Sequence, residues 1–259
     1  MLKYSRYTVN ADDFGKDKDV TAAIAESFAK GYINQTTLMV NMPSADEAVA
    51  IAKKAGFTAH IGLHLNLTEG QAMTAQMRQC PYFCDETGVF KGKFPPSRWS
   101  ALPASLVSPV AAEIEAQCKA YLEFGLPLMH CDGHHHIQSW LPIARILFPI
   151  LKKYGFNSVR RPNNAAHMSF HPQIQPRLRS IAWSLMASRH GFATTDVFCG
   201  WADWDRYGSN WPKKSRVEIM VHPGHDPSCG GWGVIDITDF RRNTGRQLEL
   251  LLKSLPDKR

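Results

Sequence analysis

The sequence predicts an α/β fold of the (β/α) TIM-like barrel kind, and three observations carry that expectation. Short apolar runs alternate with amphipathic stretches of helical period along most of the 259 residues, a pattern that builds a mainly parallel sheet covered by helices. Those runs end in polar side chains able to do chemistry, and in a β/α barrel the C-terminal ends of the strands form the functional face. The length suits one such barrel, so residues 1–259 are expected to form a single domain.

Residues 6–10, with Tyr7 and Val9, read as a short buried strand that delivers Asp12 and Asp13 to its C-terminal end. A helix over 19–30 follows, with Val20, Ala23, Ile24, Ser27 and Phe28 at helical spacing and Gly31 as its stop. Residues 36–41 are the second strand. The second helix, 44–55, opens on Ser44 with Glu47 three positions on, the pattern of a capping box, and Gly56 ends it. A third strand, 60–65, presents His64 and Asn66. After an irregular stretch from Glu69 to Val107, a helix is expected over 110–124 and a strand over 128–131 that runs into a histidine cluster. A helix over 141–154, a short strand over 158–160 ending in Arg160 and Arg161, a strand over 217–221 and a closing helix over 240–254 complete the reading.

Composition excludes several classes. No apolar run approaches the ~20 residues that span a bilayer, and no signal-peptide pattern precedes the first motif, so a cytoplasmic protein with no membrane partner is expected. The six cysteines show no paired zinc-ribbon spacing; Cys80 and Cys84 lie four apart without a second pair. The net charge of +7 comes from scattered basic residues rather than a stripe, which argues against nucleic acid. Neither a Gly-x-Gly-x-x-Gly string nor a phosphate-cradling Gly-Lys-Ser/Thr string is present, so nucleotide binding has no support.

The chemistry lies in three strings, Asn-Ala-Asp-Asp-Phe-Gly (10–15), Gly-Leu-His-Leu-Asn-Leu-Thr (62–68) and His-Cys-Asp-Gly-His-His-His (130–136). The Asp pair alone could be a turn that caps a helix. The histidines shift the balance: His130, His134, His135 and His136 fall within one seven-residue stretch, far from either terminus where a tag would sit. One carboxylate and two imidazoles hold a divalent metal while leaving positions open, as catalytic sites require. Asp13, His64 and His134 are therefore the expected ligands of one divalent ion, with Asp12 as base and His222, at the end of the 217–221 strand, as acid. Asp132 is expected to orient His222 or His134, or to meet substrate, with Asn66 and Arg160 as further substrate contacts; Arg160 and Arg161 suit a phosphate or carboxylate.

In this order and spacing the three strings, together with Glu-Ile-Met-Val-His-Pro-Gly (218–224), resemble those of the YdjC-like carbohydrate deacetylases, over residues 7–225. The resemblance implies a distorted β/α barrel, a divalent metal, magnesium or zinc, and hydrolysis of an N-acetyl group from an amino sugar or short chitooligosaccharide-like chain. It assigns metal binding to Asp13, His64 and His134, the base to Asp12 and the acid to His222. It departs at Gln138, where a further histidine is expected, and across 198–211, a segment with three of the seven tryptophans that could stack on sugar, pack a lid or make a subunit contact. The expected partner is thus a small carbohydrate, with phosphorylation and a homo-oligomeric state left open. The competing readings are a metal-dependent esterase or phosphoesterase on the same ligands and, from another class, a non-catalytic carbohydrate-binding protein.

Overall fold

Strand β1, Tyr7–Phe14, is the axis of the architecture, because hydrogen-bonded neighbours spread from it in both directions. A computed structural model describes residues 6–165, 174–225, 234–236 and 246–255. On one side of β1 lie β2 (Gln35–Leu38), β3 (Ile61–Leu65), β4 (His130–Gly133) and β5 (Ser158–Val159); on the other lie β7 (Val217–Val221) and then β6 (Val197–Gly200). Every pairing is parallel. The order β5-β4-β3-β2-β1-β7-β6 is the circular order of a β/α barrel with its seam between β5 and β6, which is the distorted barrel that the sequence predicts. The seam is partly laced: Val159 N donates to Ala193 O at 3.0 Å and Phe198 N to Asn164 Oδ1 at 2.9 Å.

Helices α1 (Lys18–Ala29), α2 (Ala45–Ala55), α4 (Ala104–Glu123), α5 (Leu141–Lys153) and α6 (Ile174–Arg189) connect the strands, with short α3 (Ala75–Arg78) and α7 (Trp201–Tyr207) in the connections after β3 and β6. Beyond β7, β8 (Pro223–His225), β9 (Val234–Asp236) and β10 (Arg246–Gln247) form a small antiparallel sheet that leads into α8 (Leu248–Ser254). No helix among the described residues is long and apolar enough to cross a membrane.

Several local expectations shift. The cap of α1 is Asp17, whose Oδ1 accepts from Val20 N at 2.8 Å, whereas the Ser44 side chain makes no capping bond at α2. Gly56 does end α2, in the left-handed region at φ 79°. Helix α4 starts at Ala104 and runs through Pro109 rather than starting at Val110. Strand β6 and helix α6 were not foreseen: Val197–Gly200 is too short to show a period, and α6 carries Leu178, Ile181 and Leu185 on an exposed face. Of the closing helix expected over 240–254, Leu248–Ser254 forms α8, Arg246–Gln247 is instead the strand β10, and 240–245 lies outside the described residues. Cys80, Cys84, Cys118, Cys131 and Cys199 are buried free thiols, and Cys229 lies outside.

Candidate active site

Successive residues of a regular strand point to opposite faces, so adjacent aspartates could not both serve one site. Strand β1 resolves this with a bulge: its register against β2 shifts between Ala11 and Phe14, and Asp13 sits in the left-handed region at φ 71°. Asn10 and Asp12 keep the two-residue alternation and touch, Asn10 Nδ2 donating to Asp12 Oδ1 at 2.7 Å. Asp13 is turned to meet the histidines. Two more non-glycine residues with positive φ, His135 (53°) and His136 (55°), lie directly after β4, so all three such residues of the described chain fall at this site.

Asp13 Oδ1 lies 3.2 Å from His64 Nε2 and 2.8 Å from His134 Nδ1. The two imidazoles face it through different nitrogens, and each has its other nitrogen beside a carboxylate: His64 Nδ1 is 2.6 Å from Asp132 Oδ1, and His134 Nε2 is 3.2 Å from Glu69 Oε1. Asp13 Oδ1 and His64 Nε2 are buried and have no polar partner beyond these contacts with one another and, for Asp13, with His134. Inward-facing donors grouped in this way fit a cation, and one ligand atom from each of Asp13, His64 and His134 lies within 4.8 Å of the others.

The other clusters of this type among the described residues, Glu69/His134/His135, Asp12/His64/Asp132 and His130/Asp132/Glu218, have their carboxylate charge spent elsewhere. Asp12, Asp132 and Glu218 are all paired to Arg160, and Glu69 Oε2 is paired to Lys16 at 3.0 Å. Apart from the two imidazoles, the cation nearest Asp13 among the described residues is Lys16, at 3.8 Å. Burial works to raise the Asp13 carboxyl, but the imidazoles of His134 and His64 outweigh it and hold it far below the usual carboxylate range. Burial likewise opposes the charged form of His64, yet Asp132 and Asp13 push that imidazole up to about 10. The pocket is thus built to hold positive charge at the place where a metal would sit.

Arg160 departs from its expected role. Its side chain is fully buried, stacked over the Phe198 ring at 4.6 Å, with Nη1 and Nη2 on Asp12 at 2.6 and 2.7 Å, Nη2 also 2.8 Å from Asp132, and Nε on Glu218 at 2.5 Å. With its guanidinium taken by three carboxylates, it is a clamp on the site rather than a contact for a substrate anion. For Asp12, burial raises the carboxyl but Arg160 more than cancels it, so the group stays well below its ordinary value and ionised. Arg161 donates to the carbonyls of Asp196 and Thr195.

Asn66 and Asp132 also turn out to act on other residues. Asn66 is fully buried; its Oδ1 accepts from Thr68 N and Glu69 N at 3.0 Å each, and its Nδ2 donates to Glu69 O at 2.7 Å, making a tight turn that sets Glu69 beside His134. Gln117 on α4 pins the same turn by donating to Asn66 O at 2.6 Å and accepting from Asn66 N at 3.0 Å. Asp132 orients His64, not His222 or His134, while accepting from Thr37 Oγ1 at 3.0 Å. Glu69, which sequence reasoning missed, is brought to about 2 by the His134 imidazole and by Lys16, against its partial burial. Its only sequence signal is its place three residues after Asn66.

His222 follows β7 at the same end of the sheet. Its backbone N donates to Asp236 Oδ1 at 3.1 Å, and its Nδ1 is buried without a partner. His136, also missed, lies edge-on to Phe198 at 5.6 Å, has an unpartnered Nδ1 and is pushed down to about 4 by burial. Gln138 is buried with both amide atoms unpartnered, and a Cβ on Gly133 would lie 2.9 Å from its Oε1 and 3.2 Å from the Leu65 carbonyl oxygen, so the chain is closely packed where β4 turns into the histidines. Trp201, Trp204 and Trp211 are buried, Trp204 against Tyr7 and Trp211, and therefore pack the fold rather than face sugar.

The profile of the family described as YdjC-like protein matches residues 6–253. The chain belongs to the YdjC-like family. Among curated relatives named carbohydrate deacetylase, that of Thermoanaerobacter pseudethanolicus is 34% identical over 147 residues, 57% of this chain and 57% of that protein. A Vibrio cholerae relative of the same name is 35% identical over 146 residues, 56% of this chain and 54% of that one. The chain thus spans little more than half the length of these two relatives. The human protein of that name aligns more broadly, at 27% identity over 88% of this chain and 78% of its own. The crystal structure of an Enterococcus faecalis V583 protein shares the fold, with a TM-score of 0.63 at 21% identity, over 85% of this chain and 81% of that one. YdjC-like membership agrees with the resemblance carried by the three strings and the 218–224 motif.

Proposed function

We propose that this YdjC-like protein is a metal-dependent hydrolase that removes the N-acetyl group from an amino sugar or a short N-acetylated oligosaccharide. One observation carries the reading: buried ligand atoms of Asp13, His64 and His134, turned toward one another, lie beside a second carboxylate, Asp12, that is fixed and ionised by Arg160. A structural metal site has no use for that extra carboxylate. The names of the relatives supply the substrate class.

Asp13, His64 and His134 would hold one divalent cation, magnesium or zinc. A cation there supplies Lewis-acid polarisation of the acetamide carbonyl and lowers the pKa of attacking water. Asp12 takes the proton from that water; Arg160 keeps its carboxylate in place and charged at neutral pH. His222 gives a proton to the departing sugar nitrogen. Asp132 and Glu69 hold the two ligand imidazoles in the orientation the site needs. Arg160, Asn66 and Asp132 thus support the site from behind.

The test is acetate release from N-acetylglucosamine, N,N′-diacetylchitobiose and their 6-phosphates with magnesium, zinc or EDTA. Acetate that appears with metal and stops with EDTA is the expected result. Phosphate without acetate would replace this reading with a phosphoesterase, and binding without any turnover would replace it with a sugar-binding protein.

A further inference from the structure

A row of rings leads from the ligand cluster to solvent. His134 and His135 have ring centroids 4.0 Å apart, Phe94 follows at 5.8 Å from His135, and Phe94 is stacked on Trp140 at 5.4 Å with an interplanar angle of 11°. His134 and Trp140 at the two ends of the row are buried, but between them Phe94 is 37% exposed and the His135 side chain 43%. Large exposed hydrophobic side chains are few among the described residues, and this one stands beside the candidate active site.

Neither ring is loose. Thr68 Oγ1 and His135 Nδ1 are hydrogen-bonded at 3.0 Å, and the strained positive φ of His135 turns its ring outward. The Phe94 carbonyl accepts from Tyr82 Oη at 2.7 Å, and Pro95 and Pro96 stiffen the chain that follows. The same loop is tied to the start of α5, with Leu141 N donating to Arg98 O at 3.2 Å and the Arg98 guanidinium lying 4.6 Å from the Trp140 ring centroid. A prearranged apolar ring next to a fixed imidazole matches the two sides of a pyranose, whose C–H groups stack on aromatics and whose hydroxyls seek hydrogen bonds. An anion fits poorly here, because Glu69 Oε1 lies 3.8 Å from His135 Nε2 and Lys16 is already paired to Glu69.

We propose that Phe94 and His135 form a subsite for the neutral sugar ring adjoining the one that carries the reacting acetamide, so that the preferred substrate holds at least two sugar units. The proposal rests on the deacetylase reading and adds substrate length to it.

The test is calorimetric titration of N-acetylglucosamine and N,N′-diacetylchitobiose into zinc-loaded Asp12→Asn protein, alone and combined with Phe94→Ala or Phe94→Trp. Loss of an aromatic platform is expected to weaken the disaccharide about tenfold more than the monosaccharide. Phe94→Trp is expected to restore the preference, which a mere packing role for Phe94 would not give. Equal weakening of both sugars, no restoration by Trp, no measurable binding of the disaccharide, or tighter binding of its 6-phosphate would overturn the subsite. Failure of the parent reading looks different: the unsubstituted protein releases no acetate from either sugar, while disaccharide binding still depends on Phe94.

Discussion

At the residue scale, the site works by holding its titratable groups against fixed partners of opposite charge. Glu69 is the clearest case, because its carboxylate lies 3.2 Å from His134 Nε2 and leaves Nδ1 to face Asp13. Replacing Glu69 by Gln is expected to weaken zinc binding about 10- to 100-fold, the usual effect of removing such a partner, as read by competition with a chromophoric chelator. His136 sets a pH dependence in the metal-free protein. Its folded-state pKa of about 4 lies below its ordinary 6.5, so the unfolded chain binds the extra proton first. The stability this neutral imidazole contributes is complete above 6.5 and is lost as pH falls from there towards 4; His136→Gln is expected to flatten urea stability across that window. The acids add to this lower down, since Asp12, Asp13 and Glu69 are depressed and lose their contributions only as pH falls further. Asp13, His64, His134 and Asp12 were legible because carboxylates and imidazoles end apolar runs. Glu69 was not, because nothing in a loop sequence says which imidazole a carboxylate will meet.

At the element scale, the connection from β3 to α4 carries Asn66, Glu69 and Phe94 and is held by two buried side chains of α4. Gln117 pairs with both backbone polar groups of Asn66, and Glu113 accepts from Met73 N, Thr74 N and Thr74 Oγ1. Glu113→Ala leaves those half-buried donors without their acceptor, at an expected cost of about 1–3 kcal/mol in urea unfolding, with sugar affinity reduced because the loop loosens. The sequence showed this stretch only as irregular, since its order comes from contacts of Met73 and Thr74 with a helix some 40 positions away. The bulge in β1 was hidden for a related reason. Two adjacent aspartates read as a loop after the strand, whereas β1 runs through both to Phe14 and the left-handed Asp13 turns the second one.

At the scale of the whole molecule, the barrel brings β1, β4, β5 and β7 around one guanidinium. Arg160 joins Asp12, Asp132 and Glu218 across the interior, so it links the candidate base, the partner of His64 and the strand leading to His222. Removing it leaves three buried carboxylates facing one another, and Arg160→Ala is expected to lose about 3–5 kcal/mol of stability or to fail to fold. Alternation of strand and helix made the barrel legible, but the seam between β5 and β6 was not, because pairing across a sheet depends on distant partners. A terminal arginine on a short strand, likewise, gives no sign that it will be buried on carboxylates from three other strands.

The central claim is that the adjacent aspartates divide the work, Asp13 holding the cation and Asp12 serving as the base. Titration of zinc into the unsubstituted, Asp13→Asn and Asp12→Asn proteins, followed by acetate release from the same samples, tests it directly. The expected result is that Asp13→Asn loses tight zinc binding, whereas Asp12→Asn still takes one zinc per chain and loses acetate release by 100-fold or more, the order of a missing general base. Tight zinc in Asp13→Asn, or loss of zinc in Asp12→Asn, would contradict the account.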